Sequence, residues 1–235
     1  MSNTIRVLGI SGSLRAKSSN TGLLRAAAGQ LPEGMEMQFA NLIDLPFFNA
    51  DLAERPAAVQ AFFEQLKQAD ALLLACPEYN YSIAPALKNA IDWASRYPDN
   101  ALLAGKPVAI CGAGGGMGTS RAQYHLRQVC VYLDLHPLNK PEVFANAFAG
   151  GFDADGNVTD EKINNSYRDH IVVFPHGFKE PLQLDHNVID LFESYDSESY
   201  TDQKLNSVAF ELFSTKNDPN ECESDMYASD EQTPK

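Results

Sequence analysis

The chain has 235 residues, 44% of them hydrophobic by type, and this is enough to bury one sizeable core of a single α/β domain. Its formal net charge of −13 is concentrated in residues 166–235, which hold 15 acidic and 5 basic side chains. No basic patch is present that would neutralise a run of phosphates, and an anionic membrane would repel the acidic segment. We therefore expect neither nucleic-acid nor membrane binding.

Nothing near the N-terminus resembles a secretion signal, because MSNTIRVLGISG lacks a basic segment followed by a long apolar one. No apolar run approaches the roughly 18 residues that a membrane span needs. The four cysteines show no CxxC spacing and are expected to be free thiols in a reducing compartment. We predict a cytoplasmic protein without a metal site.

Apolar runs alternate with helical patterns through the first 165 residues. Five strands are predicted: Ile5–Ile10, Met35–Ala40, Ala69–Cys76, Val108–Gly112 and a proline-interrupted Leu135–Val143. Between them, apolar residues at helical spacing predict four helices: Asn20–Ala28, Pro56–Gln68, Ala84–Arg96 and Thr119–Leu133. The third strand is almost wholly apolar, as in a parallel sheet covered on both faces. This order predicts a doubly wound, five-stranded parallel sheet.

The helical and strand patterns fade after Asp160. Residues 1–165 are therefore predicted to form the folded domain, and residues 166–235 an irregular acidic C-terminal extension. Residues 217–235 are polar, acidic and nearly free of aliphatic side chains, so they cannot repay the entropy of ordering. We predict that this last segment is disordered.

Three loops follow strands at the edge where ligands of open α/β sheets bind. The first, Gly9–Thr21, carries hydroxyls, backbone N–H groups and an arginine that could surround a phosphate at a helix N-terminus. It matches neither GxGxxG nor GxxxxGK[ST], so the common dinucleotide and triphosphate motifs are absent. The alternative interpretation is a polar loop with a good N-cap.

The second loop, Pro77–Ser82, places two tyrosines beside a proline, an arrangement that could pack against a flat aromatic ligand. A turn capped by Ser82 remains the alternative. The third loop, Ala113–Ser120, is rich in glycine and would let a ligand approach the backbone, although a flexible lid explains it equally well.

Four motifs carry a resemblance to a known family. In chain order they are GSLRxxSxN, PEYNYSIAPALKNAIDW, LxGKPVAI and RAQYHLRQ. Together they resemble the NADPH-dependent FMN reductase family, most closely its bacterial quinone and chromate reductase branch, over roughly residues 4 to 160. The resemblance implies a flavodoxin-like fold that binds FMN non-covalently and passes hydride from NADPH or NADH to quinones, flavins, azo compounds or metal oxyanions such as chromate.

The resemblance also implies roles for individual residues. The FMN phosphate would be held by Ser11, Ser13, Arg15, Ser19, Asn20 and Thr21. The isoalloxazine ring would be lined by Pro77, Glu78, Tyr79 and Asn80, and its other edge covered by Gly114, Gly115 and Gly116. No protein acid or base is named as catalytic, because the flavin itself accepts the hydride. Glu78 is interpreted as orienting the loop or a substrate.

Two further residues are candidates for binding substrate. Tyr81 lies beside the flavin loop, and Arg96 ends the following helix, where it could meet an anionic substrate or simply act as a favourable cation at a helix C-terminus. The segment 83–97 offers Ile83, Leu87, Trp93 and Tyr97 beyond what one core face needs, which predicts a homodimer or homotetramer. Trp93 is interpreted as core rather than as a cofactor stack.

Two other functions remain open from the residues alone. A flavodoxin-type electron carrier would use the same FMN pocket but dock protein partners. A non-enzymatic interaction protein would act through its acidic tail. The sequence does not discriminate between NADH and NADPH, because no Asp or Arg occupies a recognised ribose-discriminating position.

Overall fold

The computed structural model describes residues 4–165. Its strands are β1 Ile5–Ser11, β2 Met35–Phe39, β3 Ala71–Ala75, β4 Glu78–Tyr79, β5 Ser82–Ile83, β6 Pro107–Gly114, β7 His136–Pro137 and β8 Val143–Asn146. Its helices are α1 Ser19–Ala28, α2 Ala57–Gln68, α3 Pro85–Ala94 and α4 Ser120–Tyr132, with a 3-10 turn at Pro98–Asn100. The predicted acidic extension, its disorder over 217–235 and the domain boundary at its start are not tested by these residues and stay predictions.

The main sheet is parallel throughout and has the order β2-β1-β3-β6, with β7 and β8 both pairing with β6. The predicted fold class is thereby confirmed, with one change at the edge. The fifth strand is split, because Pro137 and Pro141 have no N–H to donate to a ladder. Its first piece pairs with the start of β6 and its second with the end, so five sheet positions hold six strands.

Both faces of the sheet are covered, which explains the continuous apolar run of β3, all five of whose residues are buried. One face packs against α2, α3 and α4, and the other against α1. The segment after β8 adds Phe152, Val158 and Ile163 to the α1 face.

Helix α3 buries residues that the sequence analysis assigned to a subunit contact. Leu87 is fully buried and Trp93 is 6% exposed. The Trp93 Nε1–H donates to the Pro46 carbonyl oxygen at 2.8 Å, and its ring meets Phe48 edge-on at 5.0 Å. The interpretation of Trp93 as core therefore agrees with the structure, but these two residues are not available for a subunit contact.

The buried thiols give a prediction about pH. Burial raises the pKa of Cys76 from 9.0 to about 12 and that of Cys130 to about 11. Folding thus favours the neutral thiols, and this contribution is complete below pH 9 and is lost as the pH rises towards 11 and 12. We expect the free energy of unfolding, measured by urea denaturation, to fall above about pH 9, and replacing both thiols by alanine to reduce that slope. An unchanged slope in the double variant would contradict this account.

Candidate active site

Three loops meet at one edge of the sheet because β1, β3 and β6 are parallel neighbours. Backbone hydrogen bonds continue the ladder past the ends of the strands. The Gly12 N–H donates to the Ala75 carbonyl oxygen at 2.9 Å, and the Cys76 N–H donates to the Cys111 carbonyl oxygen at 2.8 Å. The three loops that the sequence places after β1, β3 and β6 therefore lie next to one another at the carboxyl edge of the sheet.

The first loop ends in a capped helix. Ser18, which is buried, is the N-cap of α1, and its hydroxyl accepts from the Thr21 N–H at 3.4 Å. Ser11 and Thr21 share a hydroxyl hydrogen bond at 2.9 Å, and the Ser13 N–H donates to the Ser11 hydroxyl at 3.3 Å. The N–H groups of Ser19 and of the next residue have no acceptor inside the helix, so this turn offers donors and a dipole to an anion.

Asn20 has a different environment from the other predicted phosphate ligands. Its side chain is 6% exposed. The Nδ2 group donates to the Ala113 carbonyl oxygen at 2.9 Å, and Oδ1 accepts from the Ala113 N–H at 3.0 Å. This reciprocal pair ties the start of α1 to the end of β6, so the amide links two walls of the site. The sequence reveals a polar residue here but not a partner 93 residues away.

Arg15 is the cation of the first loop. It is exposed, and its guanidinium donates to the Lys17 carbonyl oxygen at 3.5 Å. Within the part of the chain that the structure describes, no carboxylate pairs with Arg15, whereas Lys17 pairs with Asp155 at 2.8 Å. Arg15 is therefore available to an anionic ligand.

The second loop is a short hairpin that the sequence did not predict as such. β4 and β5 pair antiparallel, and the two residues between them, Asn80 and Tyr81, have φ of 51° and 66°. Positive φ at both central positions is the mark of a type I′ turn. For tyrosine this backbone conformation is strained, and such strain concentrates at functional sites. Tyr79 and Tyr81 are 45% and 66% exposed, so both rings are accessible.

Glu78 is held by two groups from α4. Its carboxylate, whose side chain is 7% exposed, forms an ion pair with Arg121 and accepts from the Ala122 N–H at 3.3 Å. The Arg121 guanidinium also lies 3.7 Å from the centre of the Tyr81 ring. The pKa of Arg121 is raised, chiefly by its hydrogen bond to Glu78. This contact locks the hairpin onto α4, in agreement with the interpretation of Glu78 as an orienting residue.

The third loop leaves open space beside the site. A side chain added at Gly115 or Gly116 would meet no atom within 4 Å, and both residues are exposed. The loop is held by the Gly118 N–H, which donates to the Gly115 carbonyl oxygen at 2.8 Å. The backbone of this loop is therefore accessible to a flat ligand.

Arg96 is not brought together with the three loops. It lies beyond the carboxyl end of α3, about 15 Å of helix away from the loop edge. Its guanidinium stacks over Phe48 at 5.8 Å, beside a groove between α3 and α4 that also includes Lys88, His125 and Tyr132. Its role in substrate binding stays a prediction.

The residues present fit FMN. Donors at the start of α1 and the exposed Arg15 suit a single phosphate, while the hairpin and the open glycine backbone suit a flat ring. The described residues show no second phosphate cradle of this kind.

Residues 5–150 match the NADPH-dependent FMN reductase family. The chain belongs to this family. Similar curated proteins include an NAD(P)H-dependent FMN reductase of Pseudomonas aeruginosa, 54% identical over 165 residues, which are 69% of this chain and 89% of that protein. The quinone reductase of Escherichia coli K12 is 40% identical over 188 residues, 78% of this chain and 98% of that protein.

Solved structures agree with this family. The flavoenzyme FerB of Paracoccus denitrificans, an NAD(P)H:(acceptor) oxidoreductase, is 32% identical with a TM-score of 0.63, covering 72% of this chain and 98% of that one. The chain is thus an FMN-dependent NAD(P)H oxidoreductase with a flavodoxin-like fold. The enzyme interpretation is confirmed over the electron carrier and the interaction protein. Among residues 4–165 no helix is long and apolar enough to cross a bilayer.

Proposed function

We propose that the protein reduces quinones with NADPH or NADH through FMN held by the three loops at the carboxyl edge of the sheet. The observation that carries the proposal is the convergence at one edge of a phosphate-type helix start, an exposed hairpin of two tyrosines and an open glycine backbone. Relatives named quinone reductase and NADPH:quinone oxidoreductase support quinones as acceptors. Flavins, azo compounds and chromate are further candidates, because they too are small molecules that accept electrons.

Bound FMN would supply the redox chemistry, which is the passage of a hydride from the nicotinamide and of two electrons to the acceptor. The chain's part is to bind and orient. Ser11, Ser13, Ser19 and Thr21 offer hydroxyl and N–H groups to the phosphate, and Arg15 offers a forked cation that matches two phosphate oxygens. Asn20 fixes the distance between this cradle and the end of β6 through Ala113.

The hairpin and the glycine loop would contact the isoalloxazine ring of FMN. Pro77 is buried and fixes the entry to the hairpin, while Tyr79 and Asn80 present backbone groups and one exposed ring. Backbone N–H groups there and near Gly114 would stabilise negative charge at the edge of a bound ring. Glu78, already paired with Arg121, keeps this hairpin in place and needs to move no proton.

Turnover tests the proposed function. The purified protein loaded with FMN should oxidise NADPH when a benzoquinone is supplied, and the same protein stripped of flavin should not until FMN is restored. The released cofactor should be FMN by mass spectrometry, because residues 4–165 form one phosphate cradle, at the start of α1. Recovery of FAD, or turnover that does not depend on flavin, would contradict the proposal. Comparison of NADH with NADPH at equal concentration sets the preferred donor.

A cytoplasmic location and a homodimer or homotetramer complete the proposal. With Leu87 and Trp93 in the core, the surface that favours assembly is α4, where Tyr124, Val131 and Tyr132 are 59%, 81% and 83% exposed. Light scattering should report a dimer or tetramer at micromolar concentration, and replacing Val131 and Tyr132 by glutamate should shift it towards monomer. A monomeric parent protein would refute assembly.

A further inference from the structure

A tight turn lies just after the segment that matches the family. Residues 153–157 read DADGN and are closed by Asp153, whose Oδ1 accepts from the Asp155 N–H at 2.9 Å and the Asn157 N–H at 2.8 Å. Its Oδ2 accepts from the Asn157 side-chain amide at 3.0 Å. Phe152 and Val158 bridge the base of the turn and pack on the core. The turn is therefore built by its own side chains and anchored below.

The tip of this turn touches the start of α1, backbone to backbone. A Cβ added at Gly22 would lie 1.7 Å from the Gly156 carbonyl oxygen. A Cβ added at Gly156 would lie 2.7 Å from the Ser18 carbonyl carbon and 3.0 Å from the Ser19 nitrogen. Gly156 has φ of 79°, a conformation that suits glycine. The absence of a side chain at Gly22 and Gly156 thus allows the backbone of the turn to contact Ser18, which caps α1, and Ser19, which begins it.

Charged side chains fasten the same contact on both sides. The Arg25 Nε–H donates to Asn157 Oδ1 at 2.8 Å, and its Nη2 group donates to the Asp155 carbonyl oxygen at 3.2 Å. Lys17, inside the first loop, pairs with the Asp155 carboxylate at 2.8 Å. The turn therefore holds the loop before Ser18 as well as the first two turns of the helix after it.

We propose that the 153–157 turn positions the phosphate-binding start of α1, an inference that rests on the proposed FMN site. The Ser18 cap and the free N–H groups after it are useful to a phosphate only if they are held in place before the ligand arrives. The turn is the element that presses on them from outside, while Asn20 ties them to β6 from inside. Loosening the turn should therefore reduce the affinity for the phosphate and spare that for the ring.

The experiment compares FMN with riboflavin, which lacks the phosphate, by flavin-fluorescence titration of the full-length apoprotein. Gly156→Ala forces a methyl group against Ser18 and should weaken FMN binding by about tenfold, which is about 1.4 kcal/mol. Gly34→Ala is the matched control, since Gly34 has φ of 83° and empty space within 4 Å and precedes β2 at the opposite edge of the sheet. It shares the backbone strain without the contact. Arg25→Met is a second variant that leaves the backbone of the turn intact.

The proposal predicts that Gly156→Ala and Arg25→Met lose affinity for FMN and keep that for riboflavin within twofold, while Gly34→Ala keeps both. Equal loss of both ligands in Gly156→Ala and Arg25→Met would show a merely structural turn and overturn the inference. Unchanged FMN affinity in Arg25→Met, whether or not Gly156→Ala folds, would also overturn it. A parent protein that binds riboflavin as tightly as FMN would instead refute the phosphate site of the proposed function.

Discussion

Replacing Arg15 by alanine is expected to weaken FMN binding by about 1.5–3 kcal/mol, the range for a hydrogen bond to a charged group. The reason is that Arg15 is exposed and has no carboxylate partner among residues 4–165, so its charge is free for a phosphate. Arg15→Lys should fall between the parent and Arg15→Ala, because an ammonium group keeps the charge and loses the fork. Isothermal titration of the apoprotein with FMN gives the three dissociation constants.

The control is Arg6→Ala. Arg6 lies at the start of β1, at the opposite edge of the sheet, where it pairs with Glu36 at 3.1 Å. Its removal changes the net charge by the same amount as that of Arg15, and it should leave the affinity for FMN unaltered. Equal affinities for Arg15→Ala and the parent protein would remove Arg15 from the phosphate site.

Replacing Arg121 by methionine is expected to lower the free energy of unfolding. It should also raise the KM for NADPH, because the hairpin beside the ring site loses its contact with α4. The change leaves the Glu78 carboxylate, 7% exposed, with the Ala122 N–H as its remaining described partner. It also removes the guanidinium from the Tyr81 ring, which sits on a strained backbone. The loss of stability should be modest, because the Arg121 side chain is 40% exposed and water screens part of the interaction.

A double-mutant cycle separates the lost pair from lost packing. Glu78→Gln retains the shape of the side chain and removes its charge, so the double variant Arg121→Met/Glu78→Gln should recover stability relative to Arg121→Met alone. Urea denaturation of the four proteins gives the coupling free energy. Additive effects of the two substitutions would show that the ion pair does not stabilise the hairpin.

Local sequence patterns predicted the fold well. The apolar run of β3, the glycine and serine loop after β1 and the spacing of the helices each depend on neighbours in the chain, and each was found as expected. The last strand was predicted as one piece, although the two prolines in it already indicate a break.

Partners far apart in the chain were beyond the reach of sequence patterns. The partner of Arg121 is Glu78, which lies 43 residues earlier in the chain. Asn20 bonds to Ala113, and Leu87 is buried against its own core rather than offered to a subunit. The composition of the DADGN segment predicts a turn, since Asp, Gly and Asn favour turns. The residue types alone do not reveal that this turn contacts Ser18.

The most direct test of the account is an anaerobic titration of the FMN-loaded protein with NADPH, followed in the absorbance bands of the flavin. We predict that about one equivalent of NADPH bleaches the bands and that a benzoquinone then restores them, because the chain holds FMN for two-electron transfer. A protein that retains FMN yet shows no bleaching with either NADPH or NADH would contradict the central claim.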